Sequence, residues 1–92
     1  MPYKILDYSF NKAKELGVDI KPSTKKNKKI DVYKDGKYIC SIGDTRYYDY
    51  PTYIITHGKT HANERRRLYN IRHSKEKDKI GTAGYYALNI LW

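Results

Sequence analysis

Residues 44–73 read DTRYYDYPTYIITHGKTHANERRRLYNIRH and contain every arginine and every histidine of the chain. The first half is an aromatic turn in which four tyrosines, at positions 47, 48, 50 and 53, surround Pro51. The second half predicts one basic helix that begins near Thr60. We expect the rest of the chain to be arranged around this turn and helix, which together form the candidate functional unit.

The basic helix has an unusual distribution of charge when it is drawn on a helical wheel. His61, Arg65 and Arg72 fall in the middle of an arc, where an amphipathic helix normally carries Leu or Ile. The edges of this arc are apolar, with Leu68 and Ile71 on one side and Ala62 and Tyr69 on the other. A half-buried guanidinium needs an acceptor, so these arginines are expected either to pair with carboxylates of the fold or to face a polyanionic ligand. Arg66 and Arg67 lie outside the arc and are expected to be solvated.

Composition predicts one small domain over residues 1–92 that binds a polyanion. The chain is 39% hydrophobic, which argues against disorder, but eleven tyrosines and one phenylalanine make the core and its rim amphipathic. The formal net charge of +9 favours nucleic acid as the partner, with an acidic membrane or an acidic protein as the second choice.

Cysteine and hydropathy patterns restrict where the protein is expected to work. Cys40 is the single cysteine, so no disulfide forms within the chain, and its apolar surroundings predict a core position in a reducing compartment. No stretch approaches the roughly 20 apolar residues of a membrane span. The N-terminal residues also lack the apolar segment of a signal peptide. The sequence therefore predicts a protein that is not secreted and has no membrane partner.

The N-terminal half predicts a helix and a β-hairpin. Residues 7–16 have helical spacing of apolar residues, with Asp7 or Ser9 as the N-cap and Gly17 after the last turn. Residues 23–29 contain four lysines and no acid, and they are expected to form a solvated loop. Two strands within residues 30–42 are joined by Asp35-Gly36, a type I′ turn signal. On the second strand, alternation places residues 38, 40 and 42 on one face.

The C-terminal half predicts three helices. Asp49 and Pro51 indicate the start of a short helix over residues 52–57, which Gly58 ends. The basic helix is expected to run from Thr60 to about Lys77 and to end before Gly81. Residues 59–79 contain eight Lys or Arg and three Asp or Glu, which gives a local charge of +5. Thr82 is expected to cap a last helix that docks on the core, with Trp92 as an anchor and not a ligand contact, which makes the class α+β.

A set of short runs distributed over most of the chain carries a family resemblance. The runs are ELGV (15–18), KPS (21–23), DVYKDGK (31–37), DYPTYI (49–54), ERRRLY (64–69), IRH (71–73), GYYA (84–87) and LW (91–92). In these runs the chain resembles a family of small basic proteins encoded by large DNA viruses of eukaryotes. That family is a domain of unknown function, so the resemblance implies a giant-virus origin and no particular reaction.

Catalytic chemistry has little support in the sequence. His57 and His61 have the spacing of two zinc ligands, but the glutamate of the metalloprotease motif is missing and Gly58 interrupts the helix. A metal-dependent nuclease using these histidines and Glu64 is the enzymatic alternative. The six glycines are scattered, so no phosphate-binding loop is present. We expect no enzyme activity, no metal and no cofactor.

The sequence therefore predicts a viral protein that binds the backbone of DNA or RNA with little sequence specificity, in genome packaging or regulation. It is expected in the virion or in the infected host cell. The alternative is a structural or minor virion protein whose Arg/Tyr surface binds a partner protein. The residues predicted to contact nucleic acid are Lys25, Lys26, Lys28, Lys29, Arg46, Tyr47, Tyr48, Lys59, Arg65, Arg66, Arg67, Tyr69, Arg72, His73 and Lys75.

Overall fold

The computed structural model describes residues 3–92, which form four α-helices, one 3-10 helix and one antiparallel sheet of three strands. The predicted α+β class is confirmed. The elements in chain order are α1 (Asp7–Leu16), β1 (Asp19–Pro22), β2 (Ile30–Lys34), β3 (Lys37–Ile42), α2 (Tyr50–His57), α3 (Lys59–Arg72), the 3-10 helix (Ser74–Asp78) and α4 (Ala83–Ile90).

Helix α1 has the predicted bounds but not the predicted cap. Gly17 adopts the left-handed conformation (φ 73°) and ends the helix as expected. The N-cap is Leu6, without a side-chain hydrogen bond, whereas Asp7 lies in the first turn. Ser9 is buried, and its hydroxyl donates to the carbonyl oxygen of Ile90 at 2.9 Å. The prediction of Asp7 or Ser9 as the cap was wrong, because the Ser9 hydroxyl binds α4 instead of its own helix.

The sheet contains the predicted hairpin and one strand that was not predicted. Asp35 and Gly36 both have positive φ values (53° and 79°), as a two-residue type I′ turn requires. The additional strand, β1, pairs antiparallel with β2, so that Ile20 lies opposite Val32. The order of strands is therefore β1-β2-β3, with β1 at one edge.

A β-bulge changes the face on which Tyr38 lies. Val32 pairs with Cys40, but Tyr33 pairs with Tyr38, so the third strand has one extra residue at Ile39. The Tyr38 hydroxyl consequently lies 2.7 Å from the Ser41 hydroxyl, on the outer face of the sheet. The prediction that Tyr38 shares the core face with Cys40 was wrong, since strict alternation holds only in a regular strand.

The core lies between the inner face of the sheet, α1 and α4. Burial in it raises the pKa of the half-buried Cys40 thiol, which packs against the cluster as predicted. The buried cluster consists of Ile5, Ala13, Val18, Ile20, Ile30, Val32, Ile42, Tyr86, Ile90 and Leu91.

The C-terminal helices begin at the predicted caps, but α3 ends early. The Asp49 carboxylate caps α2 by accepting from the Thr52 backbone N–H at 3.0 Å, and the Thr82 hydroxyl caps α4. Helix α3 stops at Arg72, five residues before the predicted end at Lys77, and the chain continues as a 3-10 helix. No helix within residues 3–92 is long and apolar enough to cross a bilayer.

The orientation of α3 differs from the prediction. Ile71 is 61% exposed and Leu68 is 38% exposed, whereas Ala62 is fully buried and Tyr69 is half-buried. The helix thus turns its Ala62 and Tyr69 side towards the protein, where α3 packs on α2 and the ring of Tyr69 stacks on Trp92. Arg65 and Arg72 are exposed, so the expectation of half-buried guanidinium groups was wrong.

Candidate functional site

A cleft of about 530 Å³ lies where the β3–α2 connection, α3 and the end of α4 meet. Its lining combines aromatic rings with cationic side chains. Leu91, which is 1% exposed, is the most deeply buried aliphatic residue of the lining. The aromatic residues are Tyr47, Tyr48, Tyr53, Tyr69 and Trp92, the basic residues and histidine are Lys28, Lys29, Arg65, Arg72 and His73, and the others are Gly43, Asp44, Asp49, Ala87 and Leu91.

One side of the cleft contains a stack of three rings. The ring of Tyr69 lies parallel to that of Trp92, with centroids 4.2 Å apart and planes 7° apart. The ring of His73 stacks on Tyr69 at the same centroid distance, with planes 26° apart. Burial in this stack raises the pKa of the Tyr69 hydroxyl. Since residues 69 and 73 are one helical turn apart, α3 sets their contact, and Trp92 adds the third ring from the end of α4.

A second aromatic cluster adjoins the stack. The ring of Tyr53 lies 5.3 Å from Tyr48 and 6.2 Å from Trp92, and it connects the two groups of rings. His57 and His61 stack on each other at 4.8 Å across the junction of α2 and α3, and both contact Tyr53. Among residues 3–92, no group of three or more His, Cys, Asp or Glu side chains has the arrangement of a metal site.

Three cations of the cleft have no carboxylate partner. Within the described chain, Lys28, Arg65 and Arg72 form no salt bridge, and all three are exposed. The guanidinium of Arg65 lies 5.5 Å above the ring of Tyr53, which orients it without neutralising it. The charges of these residues are therefore available to an anionic ligand.

Two other arginines are neutralised by neighbours. Arg46 binds the Asp44 carboxylate through Nη2 at 2.7 Å and through its backbone N–H at 2.9 Å, which lowers the pKa of Asp44 to about 2. Arg67 binds Glu64 at 2.5 Å along the exposed side of α3 and lowers the pKa of that carboxyl group. The structure thus separates the arginines of paired charge, whose carboxylate partners are two and three residues away in sequence, from the unpaired cations of the cleft.

A buried ion pair supports the cleft from below. The Asp49 carboxylate, 1% exposed, accepts from Lys29 Nζ at 2.8 Å and from the Tyr3 hydroxyl at 2.6 Å. With the bond from the Thr52 N–H, this carboxylate fixes the start of α2 to the end of the lysine loop. Burial, followed by the hydrogen bond and the charge of Asp49, raises the pKa of Tyr3 far above its usual range.

Gly43 allows the floor of the cleft to close. Its φ of 79° favours glycine, and a Cβ atom there would lie 2.8 Å from Leu91 and 2.9 Å from the Lys29 side chain. The absence of a side chain at this position lets the lysine stem pass beneath the β3–α2 connection to reach its carboxylate partner.

The cleft contains eight of the fifteen residues predicted to bind nucleic acid. They are Lys28, Lys29, Tyr47, Tyr48, Arg65, Tyr69, Arg72 and His73. The other seven, which lie outside the lining, are Lys25, Lys26, Arg46, Lys59, Arg66, Arg67 and Lys75. The expectation that Arg66 is solvated was wrong, because it is half-buried and its guanidinium lies 4.1 Å above the ring of Tyr50.

Lys29 and Trp92 require corrections to their predicted roles. Lys29 was predicted in a solvated loop, but its ammonium group is buried against Asp49 and cannot reach a partner. Trp92 was predicted only as an anchor, whereas its ring also lines the cleft beside Tyr69. Tyr53 was in the predicted turn but not among the predicted site residues. The spacing of Tyr53, His57 and His61 at intervals of four was the one signal for this cluster.

A second groove, of about 550 Å³, lies between α1 and the β1 edge of the sheet. Its lining is mainly apolar, including Phe10, Val18 and Ile20, and its two lysines are accompanied by Asp19. The cleft beside α3 therefore fits an anion much better than this groove of similar volume.

No protein-family model, no curated protein and no solved structure is significantly similar to this chain. The assignment of a function consequently depends on the residues of the cleft.

Proposed function

We propose that the protein binds nucleic acid through the cleft beside α3, by contacts to the sugar–phosphate backbone with little sequence preference. The observation that carries the proposal is that Lys28, Arg65 and Arg72, all without a carboxylate partner, surround a cleft lined by exposed tyrosines. Free cations neutralise phosphates, and aromatic rings pack on bases or sugars.

The spacing of the two arginines supports a strand as the ligand. Arg65 and Arg72 are seven residues apart on α3, so they lie on the same side of the helix, about 10 Å apart along its axis. About 10 Å corresponds to roughly three nucleotides of a stacked strand. Two phosphates of one strand therefore match the two guanidinium groups better than one small anion does.

The net charge of +9 supports a role with a long polyanion. Each phosphate that the protein neutralises releases counterions, which makes the binding free energy strongly dependent on salt. Together with the resemblance to basic proteins of large DNA viruses, this charge leads us to propose a viral protein that acts in genome packaging or regulation, in the virion or the infected cell.

The outer side of α3 favours the second candidate, a structural or minor virion protein. Ile71 is 61% exposed and Leu68 is 38% exposed, and such aliphatic residues are common at protein interfaces. In this case a partner protein would cover the outer side of α3, whereas Arg65 and Arg72 on the cleft would contribute little.

The salt dependence of binding tests the first proposal. We expect the wild-type protein to bind random-sequence DNA and RNA, with a slope of log K against log salt of about −0.9 per phosphate for duplex DNA. The double variant Arg65→Ala/Arg72→Ala should reduce this slope by roughly 2. The matched control Arg46→Ala/Arg67→Ala removes the same charge from two arginines that have carboxylate partners and should have a smaller effect. Absence of binding at low salt refutes the proposal.

A further inference from the structure

We infer that the cleft accommodates an unpaired base, so that the protein prefers single-stranded DNA or RNA to a duplex. This inference rests on the proposed function and names the form of nucleic acid that the same site takes. It concerns the shape and the rings of the cleft, whereas the proposed function depends on its cations.

The shape of the cleft is the first argument. A volume of about 530 Å³ lies within the range of roughly 300 to 1,000 Å³ that is typical of small-molecule sites. A base within a duplex is paired and stacked, and it reaches a concave site only after it has been turned out of the helix, which costs free energy. A single strand avoids this cost, because its bases are already accessible.

The exposed rings of the lining are the second argument. Tyr47 is 68% exposed and contacts no other aromatic ring among residues 3–92, and Tyr48 is 48% exposed. Large exposed rings beside a cleft offer π faces to any base, whatever its sequence. The stack of Tyr69 and Trp92 lines the same cleft and gives it an apolar side.

The free cations are the third argument, because they place positive charge beside the site of the base. Lys28, Arg65 and Arg72 line the same cleft as the rings, so a base that enters it leaves its phosphates close to positive charge. Backbone contacts of this kind combined with stacking are the general mode by which proteins bind single strands without reading their sequence.

The outer face of the sheet shows the same residue types in an arrangement that does not suit a base. The Lys25 ammonium lies 4.1 Å above the ring of Tyr38 and also donates to its hydroxyl, which contacts Ser41 as well. This tyrosine and lysine contact each other, and neither lines the cleft beside α3 or the groove beside α1. They provide a matched control outside the proposed site.

The experiment compares single-stranded and duplex oligonucleotides of equal length, in both DNA and RNA, by fluorescence anisotropy at one salt concentration. We expect the single strand to bind at least about 10-fold more tightly than the duplex. Tyr47→Ala and Tyr48→Ala should each weaken single-strand binding by about 5- to 100-fold for a stacked base. Both should weaken duplex binding by a smaller factor, because a paired base cannot stack on these rings. Tyr38→Ala, outside the cleft, should leave both affinities unchanged.

The outcomes distinguish this inference from the proposed function. Equal affinity for single strand and duplex, with both tyrosine variants of the cleft neutral and Arg65→Ala/Arg72→Ala still defective, overturns the inference and leaves the proposed function intact. Failure to bind either form overturns both. Tyr47 is largely exposed, so its variant is expected to fold, and a thermal melt checks this point. The DNA and RNA arms show whether the 2′-hydroxyl contributes to binding.

Discussion

Lys28 and Lys29 are neighbours in sequence, yet the charge of Lys28 is exposed and unpaired, whereas that of Lys29 is buried in an ion pair. Lys28 lies exposed on the rim of the cleft, together with Arg65 and Arg72. Lys29 lies below it, buried, with its ammonium group on the Asp49 carboxylate. The difference shows that a basic composition does not measure the charge available to a ligand, because part of it stabilises the turn that builds the site.

The two regions also differ in how much stability the fold loses when a charged side chain is replaced. A charge in the interior has lost its hydration, so its partner becomes strongly destabilising if it is left alone. A charge on the rim is hydrated before and after substitution, and its removal changes the affinity for an anion more than the stability of the fold. Mutations in the two regions should therefore have separate effects on unfolding and on binding.

The largest effect is expected from Lys29→Met, which leaves the buried Asp49 carboxylate without its counter-charge. We expect the free energy of unfolding to fall by about 3–5 kcal/mol. The control Lys28→Met removes the same charge from the rim and should change stability by less than about 0.5 kcal/mol. Urea denaturation of both variants measures the two values. Equal losses would show that the two lysines are not in different environments.

A smaller effect is expected from Tyr3→Phe, which removes one hydrogen bond from the same carboxylate. We expect a loss of about 1–3 kcal/mol at neutral pH, since Asp49 keeps its bonds to Lys29 and the Thr52 N–H. This variant sharpens the comparison, because it changes the buried region without changing its charge.

The same substitution should alter the dependence of stability on alkaline pH. The pKa of Tyr3 is raised in the folded state, so folded protein holds this proton more tightly than the unfolded chain, whose tyrosine pKa is about 10. The contribution of Tyr3 is therefore complete below about pH 10 and is lost as the pH rises above it. Unfolding free energies measured across that range should fall more steeply for the wild type than for the variant, and parallel curves would contradict the assignment.

The smallest effect is expected on the outer side of α3. Ile71→Gln should change stability by less than about 0.5 kcal/mol and leave binding to oligonucleotides unchanged, because the side chain is 61% exposed and does not line the cleft. Thermal denaturation and the anisotropy assay measure both quantities. A large loss of stability would instead support the helix orientation predicted from the sequence, in which Leu68 and Ile71 border the buried arc.

The parts of the fold that the sequence predicted correctly are set by local chemistry. Gly17 ends α1, Asp35-Gly36 makes the hairpin turn, and Asp49 and Thr82 cap their helices. Each of these signals acts within a few residues of its position, so no knowledge of the tertiary structure is needed.

The parts that were predicted incorrectly depend on distant contacts. Strand β1 has a single buried apolar residue, Ile20, and Pro22 at its end, so only its pairing with β2 makes it a strand. The buried side of α3 is chosen by α2 and by Trp92, which are packing partners that a wheel does not include.

The sequence predicted which residue types form the candidate site, but not how their side chains are arranged and paired. The abundance of Arg and Tyr in residues 44–73 indicated most of the rim. Which cations are free could not be read from the chain, because Lys29 meets a carboxylate twenty residues away and Tyr69 meets Trp92 at a separation of twenty-three.

The contacts of α4 with the rest of the molecule determine when the cleft can form during synthesis. Ile90 accepts a hydrogen bond from Ser9, and the Leu91 carbonyl oxygen accepts one from the Tyr50 backbone N–H at 3.0 Å. A nascent chain that has passed Arg72 already carries the basic helix, but it lacks the floor of the cleft and the ring that stacks on Tyr69. Such a chain has the positive charge of the helix without the aromatic cleft. The binding mode that we propose therefore requires the last helix to be docked, since Leu91 and Trp92 complete the cleft.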